Sequence, residues 1–179
     1  MEKRKQKMSA FTKFLNKYAT WESVLILLAL DMIFNILIFP MLMAKSPNTL
    51  PLDLYFSYSS DEVYNLFANF SPAELKTYMI TELTVDIVYP IVYSLLFAFV
   101  IFKLSGKAIF SMVPILVMFL DYLENIGIVT MIHYYPHQLN SVATITSIFT
   151  SLKWILVIVS VALILIFLVK KLINRKTTH

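Results

Sequence analysis

Carboxylates and one lysine lie inside stretches of the sequence that are otherwise apolar. Asp121 and Glu124 follow an apolar run that begins at Ile109, and Glu82 and Asp86 lie one helical turn apart in the preceding run. An acid at the bilayer centre costs roughly 2.5–3.5 kcal/mol, so several are retained only where they face polar groups. Carboxyl groups that repel one another in a low dielectric leave at least one protonated. Such pairing suits acid–base chemistry or proton coupling.

In four apolar segments the polar residues recur at helical spacing, so each set shares one helix face. At about 1.5 Å per residue, all the sets lie between mid-membrane and the same surface. We therefore predict that four polar faces converge on one pocket that opens outward. The predicted catalytic residues are Glu82, Asp86, Asp121 and Glu124, and the predicted ligand-binding residues are Asp31, Asn35, Tyr89, Tyr93, Asn125, Lys153 and Trp154.

Three residues have particular roles in this predicted pocket. Lys153 is the expected counter-ion for one of the acids. Pro90 frees the carbonyl four residues earlier, which belongs to Asp86, so we expect an unpaired backbone acceptor in the pocket wall. Trp154 is too deep for an interfacial position and either lines the pocket or packs in the core. The alternative for the whole cluster is an ion-pair network that fixes the helix register.

The composition of the chain and its long apolar spans indicate a membrane protein. Of the 179 residues, 59% are hydrophobic, only two are glycine, and the mean hydropathy is +0.74. Apolar spans at about 22–43, 82–103, 108–132 and 142–169 each reach the roughly 20 residues that a membrane helix needs. The predicted fold is a single all-α, polytopic bundle of four transmembrane helices with an outer loop at 44–81. A cleaved signal peptide is the competing interpretation of the first span, but Asp31 and Asn35 interrupt it.

Basic residues predict the orientation. Lysine and arginine cluster in the first 17 residues, in the turn that contains Lys103 and Lys107, and after Val169. Positive residues stay on the cytoplasmic side, so we predict that both termini are cytoplasmic and that the outer loop is extracytoplasmic. The predicted location is a multi-pass integral membrane protein, in the plasma membrane if the host is bacterial.

Two short amphipathic helices are predicted outside the spans. In the outer loop, Ser59 and Glu62 have capping-box spacing, and an apolar face follows that comprises Val63, Leu66, Phe67 and Phe70. Ser71 and Pro72 mark the start of a helix that continues to about Lys103, roughly 48 Å at 1.5 Å per residue. Near the N-terminus, helical spacing among lysines favours a surface helix or a disordered basic tail, and the apolar residues concerned are Phe11, Phe14, Leu15 and Tyr18.

Several other chemistries are excluded or weakly indicated. The chain has no cysteine, no glycine-rich phosphate loop and no nucleophile-elbow motif, and its basic residues do not form a nucleic-acid-binding patch. His133, His137 and Glu124 raise the question of a metal, but Pro136 separates the histidines, so neither metal nor cofactor is expected. Trp21, Tyr134 and Tyr135 are predicted to lie at the membrane interfaces.

The second span resembles part of the EXPERA superfamily, which contains the emopamil-binding proteins and the sigma-2 receptor. The resemblance lies in the segment ELTVDIVYPIVYSLLFAF, at Glu82-Leu83, Asp86, Tyr89-Pro90-Ile91 and Tyr93. The layout is also similar, with four spans, a long first outer loop and a basic tail. The resemblance implies a pocket for sterol-like or cationic amphiphilic ligands, with Asp31 and Glu82 as pocket acids. The chain also resembles small four-helix bacterial membrane proteins without an assigned activity.

Three functions remain open from the sequence. The first is a pocket that binds a small amphipathic, lipid- or isoprenoid-like ligand, either without chemistry or with isomerase-like acid–base catalysis. The second is a proton-linked transporter or channel subunit, although the cytoplasmic halves of the second and fourth spans carry few polar residues. The third is a structural or assembly protein without a ligand. Membrane lipids or an amphipathic ligand are the expected partners, no nucleic acid is expected, and the oligomeric state is left open.

Overall fold

A computed structural model describes residues 8–44 and 50–176, the last two through their backbone only. The described residues form helices and loops, with no β-strand. Four helical segments are long and apolar enough to cross a membrane, which confirms the predicted all-α polytopic bundle. The basic residues at 3–7, Lys45 and the start of the outer loop lie outside the described residues.

Helix α1 (Ala10–Tyr18) is the predicted amphipathic helix near the N-terminus. Leu15 on its apolar face is fully buried and joins a core with Ala19, Val24, Leu96 and Phe99. This core fills the end of the bundle to which α1 belongs. The segment is therefore a docked helix, and the disordered tail was the wrong alternative.

The first span runs from Trp21 to Met43 and consists of three consecutive helical pieces. Helix α2 (Trp21–Ile33) is followed by a π-helical turn (Phe34–Ile38) and by α3 (Phe39–Met43). Trp21 is exposed and lies under two lysines, with Lys103 Nζ 5.7 Å and Lys171 Nζ 5.9 Å from its ring centroid. The π-helical turn was not predicted from the sequence.

The predicted capping box at Ser59 is present, and the predicted helix start at Ser71 also proves to be a capping box. Helix α4 (Ser60–Ala68) has Ser59 as its N-cap with Glu62, and α5 (Pro72–Ser105) has Ser71 with Glu74. Gly106 ends α5 in a left-handed conformation (φ 67°), and its N–H donates to the carbonyl of Phe102 at 2.8 Å. Helix α5 therefore covers the predicted length, and it extends ten residues beyond the predicted span at its N-terminal end and two residues at its C-terminal end.

Helices α6 (Met112–Tyr134) and α7 (Asn140–Lys176) complete the bundle. They pack closely on each other and on α5, whereas the first span packs mainly on α5. Close approach of α6 and α7 depends on Gly127, because a Cβ atom there would lie 1.9 Å from Thr146 Oγ1.

Helix α4 covers the end of the bundle opposite α1. Val63 and Phe67 are fully buried and join a core with Ile128, Met131 and Ala143, as the amphipathic pattern predicts. Tyr135 also belongs here: its ring lies 6.4 Å from Tyr64 and 5.9 Å from Phe67. Tyr135 therefore packs under α4 and does not lie at a membrane interface, contrary to our prediction. Tyr134 is exposed.

Candidate functional site

A cavity of about 620 Å³ lies between the first span, α5, α6 and α7, beneath the loop that precedes α4. Its walls combine carboxyl groups with aromatic and aliphatic side chains. Most of the predicted pocket residues line it, namely Asp31, Asn35, Glu82, Asp86, Tyr89, Tyr93, Asp121, Asn125, Lys153 and Trp154. The predicted convergence of polar faces from separate helices on one hollow is therefore present.

Glu124 differs from the other predicted acids because it does not line the cavity. Its side chain is fully buried between α6 and α7, where it forms an ion pair with Lys153. Thr150 Oγ1 donates a hydrogen bond to Glu124 Oε1 at 2.7 Å. Direct proton exchange between Glu124 and a ligand, which we expected from the sequence, is incompatible with this position behind Lys153.

Lys153 joins two acids on α6. Its Nζ lies 3.8 Å from Asp121 Oδ1 and also contacts Glu124, and all three residues are at most 8% exposed. Tyr93 donates its hydroxyl proton to Asp121 Oδ2 at 2.5 Å. Two acids and one lysine therefore form a buried network whose Asp121 side faces the cavity, so the predicted counter-ion has two partners.

The backbone carbonyls near Pro90 are bonded by side chains of α6. Asn125 Nδ2 donates to the carbonyl of Asp86 at 2.7 Å, and the Tyr122 hydroxyl donates to the carbonyl of Ile87 at 2.9 Å. The unpaired acceptor predicted at Asp86 was therefore wrong, because the amide of Asn125 satisfies it. The side chain of Asn125, which we predicted to bind a ligand, holds the cavity wall in place through its amide nitrogen.

The first span contributes a smaller polar group. Asn35 Nδ2 donates to the carbonyl of Asp31 at 2.9 Å and to the hydroxyl of Tyr89 at 3.1 Å. The Tyr89 ring packs on Phe34 and Phe39, with centroids 5.3 and 4.8 Å away. These contacts tie the irregular part of the first span to α5.

Glu82 is the most enclosed acid on the cavity. Its residue is 1% exposed, and neither carboxyl oxygen has a hydrogen-bond partner among the described residues. Burial of an ionised carboxyl group without a donor is strongly unfavourable. The site therefore holds a carboxyl group that is available to exchange a proton or to accept a hydrogen bond from a ligand.

The strap (residues 51–58) forms the roof of the cavity. Its role was not predicted from the sequence, in which Asp53 is one charged residue of the outer loop. Trp154 Nε1 donates to the Asp53 carbonyl at 3.2 Å, and Leu52 N donates to the Tyr78 hydroxyl at 2.9 Å. Tyr58 N donates to Ser147 Oγ at 2.9 Å. The strap is thus attached to both α5 and α7, and its Asp53 side chain adds another acid to the lining.

The histidines lie apart from this site. His133 and His137 are both exposed, at the end of α6 and in the turn that follows. No group of three or more His, Cys, Asp or Glu residues within 8–44 and 50–176 is arranged to hold a metal ion. The cavity lining itself offers carboxyl, phenol, hydroxyl, amide, indole and ammonium groups.

Fold and site together define a multi-pass membrane protein with an acid-lined cavity inside its helical bundle. Comparison with known protein families, curated proteins and solved structures found no match. What the protein does must therefore be argued from the cavity.

Asp53 predicts a pH dependence of the strap. Burial raises the pKa of its carboxyl group above the usual 3.8, although Lys153 opposes the shift. The protonated Asp53 carboxyl group therefore favours the attached strap. This stabilisation of the attached strap is complete below pH 3.8 and is lost as the pH rises through the raised pKa of Asp53. In hydrogen–deuterium exchange corrected for intrinsic rates, residues 51–58 should open more often as the pH rises. Asp53→Asn should remove this dependence and Asp61→Asn, on the exposed face of α4, should keep it; an unchanged profile in Asp53→Asn would contradict the assignment.

Proposed function

We propose that this protein binds a small amphipathic molecule, lipid- or isoprenoid-like, in the cavity beneath the strap. The observation that carries the proposal is the joint lining of one hollow by acids from three helices and by apolar side chains. A volume of about 620 Å³ falls within the range of about 300–1,000 Å³ that is typical of small-molecule sites. A packed ion-pair network without a ligand would need no such space.

The polar part of the cavity indicates what the ligand head must supply. Among the described residues, no donor forms a hydrogen bond to either carboxyl oxygen of Glu82 or to the buried Oδ1 of Asp53. Lys153 is already shared by Asp121 and Glu124. The head group should therefore bring its own hydrogen-bond donors, as a hydroxyl or an amine does.

The remaining lining indicates an apolar body. Phe39 and Leu42 come from the first span, Phe97 from α5 and Val157 from α7. Phe97 lies one turn beyond Tyr93, and Val157 one turn beyond Lys153, both toward the α1 end of the bundle. A chain or ring system in this part buries hydrocarbon while the head group reaches the acids.

The same arrangement suits acid–base catalysis of an isomerase-like kind. Glu82 or Asp86 would give a proton to one carbon of a double bond, which leaves positive charge on the other. A second carboxylate would remove a proton from the next carbon beyond that cationic centre, so the double bond moves by one position without net redox change. Asp121 and Lys153, on the opposite wall, would adjust the charge around the reacting atoms. The resemblance of the second span to the EXPERA superfamily agrees with this chemistry.

The cap end, which carries the strap and α4, would face the extracytoplasmic side, with both termini in the cytoplasm. In a bacterial host this would be the plasma membrane. The core around Leu15 and Phe99 fills the opposite end of the bundle, which favours a closed pocket over a transport path. The transporter and the ligand-free assembly protein thus receive less support than the pocket.

Native mass spectrometry of the detergent-purified protein tests the proposal. We expect a bound lipid-like mass in the unmodified protein, and Glu82→Gln and Asp86→Asn should lower its occupancy at least fivefold. Glu22→Gln, which changes an exposed acid at the α1 end, should leave the occupancy unchanged. Equal retention in all four proteins, or no bound mass in any of them, would overturn the proposal.

A further inference from the structure

The cavity is covered toward the cap end but poorly covered at its side. Two hydrogen bonds hold the strap over the top: Trp154 donates to the Asp53 carbonyl, and Leu52 N donates to the Tyr78 hydroxyl. On the side, the first span packs mainly on α5, and its described contacts with α7 are sparse. Phe39 and Val157 nevertheless line the same cavity from these two helices. The cavity thus continues into a gap between the first span and α7.

Polar groups of the first span lie at this gap. Asn35 is exposed and Asp31 is only half-buried, although both belong to the middle of a membrane span. An exposed amide in hydrocarbon is unfavourable unless a polar group or a ligand head passes close to it. Their exposure marks the side opening as the place where a polar head would travel.

The first span and α7 have largely exposed sides next to the gap. In the membrane-spanning window of each, 11% of the residues are buried, against 44% for α5 and α6. At the gap the first span is irregular, because it contains the π-helical turn Phe34–Ile38 and then Pro40, which has no backbone N–H to donate. Such a segment bends at lower cost than a regular helix that is packed on both sides.

We infer that the ligand is a membrane-resident amphiphile that enters sideways from the bilayer, between the first span and α7. Its head group passes Asn35 and Asp31 to reach the acids, and its hydrocarbon chain stays in the gap between Phe39 and Val157. This inference rests on the proposed function, since it presupposes that the cavity binds a ligand. It adds that the ligand comes from the lipid phase and that the ligand has at least one long hydrocarbon chain.

A chemical bridge across the gap tests the route, and the absence of native cysteine makes the labelling specific. In Phe39→Cys/Val157→Cys, bis-maleimide linkers of increasing length would join the first span to α7. We expect a bridge to slow the uptake of radiolabelled hexadecylamine from vesicles at least tenfold. When the linker contains a disulfide, its reduction should return the bridged protein to the uptake rate of the unlabelled variant. Equal uptake rates in bridged and unbridged protein would overturn the lateral route. If the unmodified protein binds neither hexadecylamine nor the shorter hexylamine, the proposed function is overturned and the route with it.

Fluorescence provides a second measurement if that variant does not fold. Trp21→Phe leaves Trp154 as the only tryptophan, at the wall of the cavity. In vesicles with brominated acyl chains, Trp154 should be strongly quenched, and hexadecylamine should relieve at least half of that quenching. Hexadecylamine that binds without relieving any quenching would show that no lipid chain occupied the gap and would overturn the inference.

Discussion

Replacement of Lys153 by methionine is expected to lower the free energy of unfolding by about 3–5 kcal/mol, the range found when one partner of a buried ion pair is removed. Lys153 is 6% exposed and is paired with Glu124 and Asp121. Methionine keeps most of the volume but leaves two buried acids without a cation. Unfolding in mixed detergent micelles measures the loss.

Two matched variants identify its cause. Lys107→Met removes an exposed lysine and should change stability by less than about 0.5 kcal/mol. Lys153→Met/Glu124→Gln removes one of the two acids that the first change leaves without a cation, and should recover about half of the loss. If the double variant is as unstable as the single one, the effect of Lys153 comes from packing and the ion-pair account is wrong.

Replacement of Gly127 by alanine should be nearly as damaging, at about 3 kcal/mol. The added Cβ would lie 1.9 Å from Thr146 Oγ1 and 2.9 Å from Thr146 Cβ, so rotation of the threonine alone cannot make room. Helices α6 and α7 must move apart, and the Lys153–Glu124 pair spans that interface. We therefore expect lower stability in micelles together with weaker ligand retention.

The partner residue supplies the control for Gly127. Thr146→Ala removes Oγ1 and Cγ2, so Gly127→Ala/Thr146→Ala should recover about half of the lost stability. Ile126→Ala, at the neighbouring position with 63% of its surface exposed, should remain within about 0.5 kcal/mol of the parent protein. A Gly127→Ala protein as stable as the parent would contradict the close approach of α6 and α7.

Periodicity and capping chemistry predict most of the fold because both are local. Ser59 and Ser71 start their helices where the spacing to Glu62 and Glu74 indicates, and four apolar runs suffice to define the bundle. Depth and helix phase also bring Glu82 and Asp121 to one cavity. Helix phase alone does not distinguish a residue on the cavity from one behind it, and Glu124 is such a case.

The remaining features depend on packing between segments that are distant in sequence. Asn125 bonds to the Asp86 carbonyl, and the indole of Trp154 bonds to the strap, because particular helices are neighbours. No local pattern specifies those neighbours. Asp53 belongs to the site for the same reason, since its loop is brought over the cavity by bonds to α5 and α7.

Labelling with a membrane-permeant carbodiimide tests the central claim most directly, because this reagent modifies carboxyl groups that it can reach inside a membrane protein. Peptide mass spectrometry should find the partly exposed cavity acid Asp86 modified, and Glu124 unmodified behind Lys153. Saturating hexadecylamine should protect Asp86 at least fivefold. Modification of Glu124 at the same rate as Asp86, or no modification of Asp86, would contradict an accessible hollow lined by these residues.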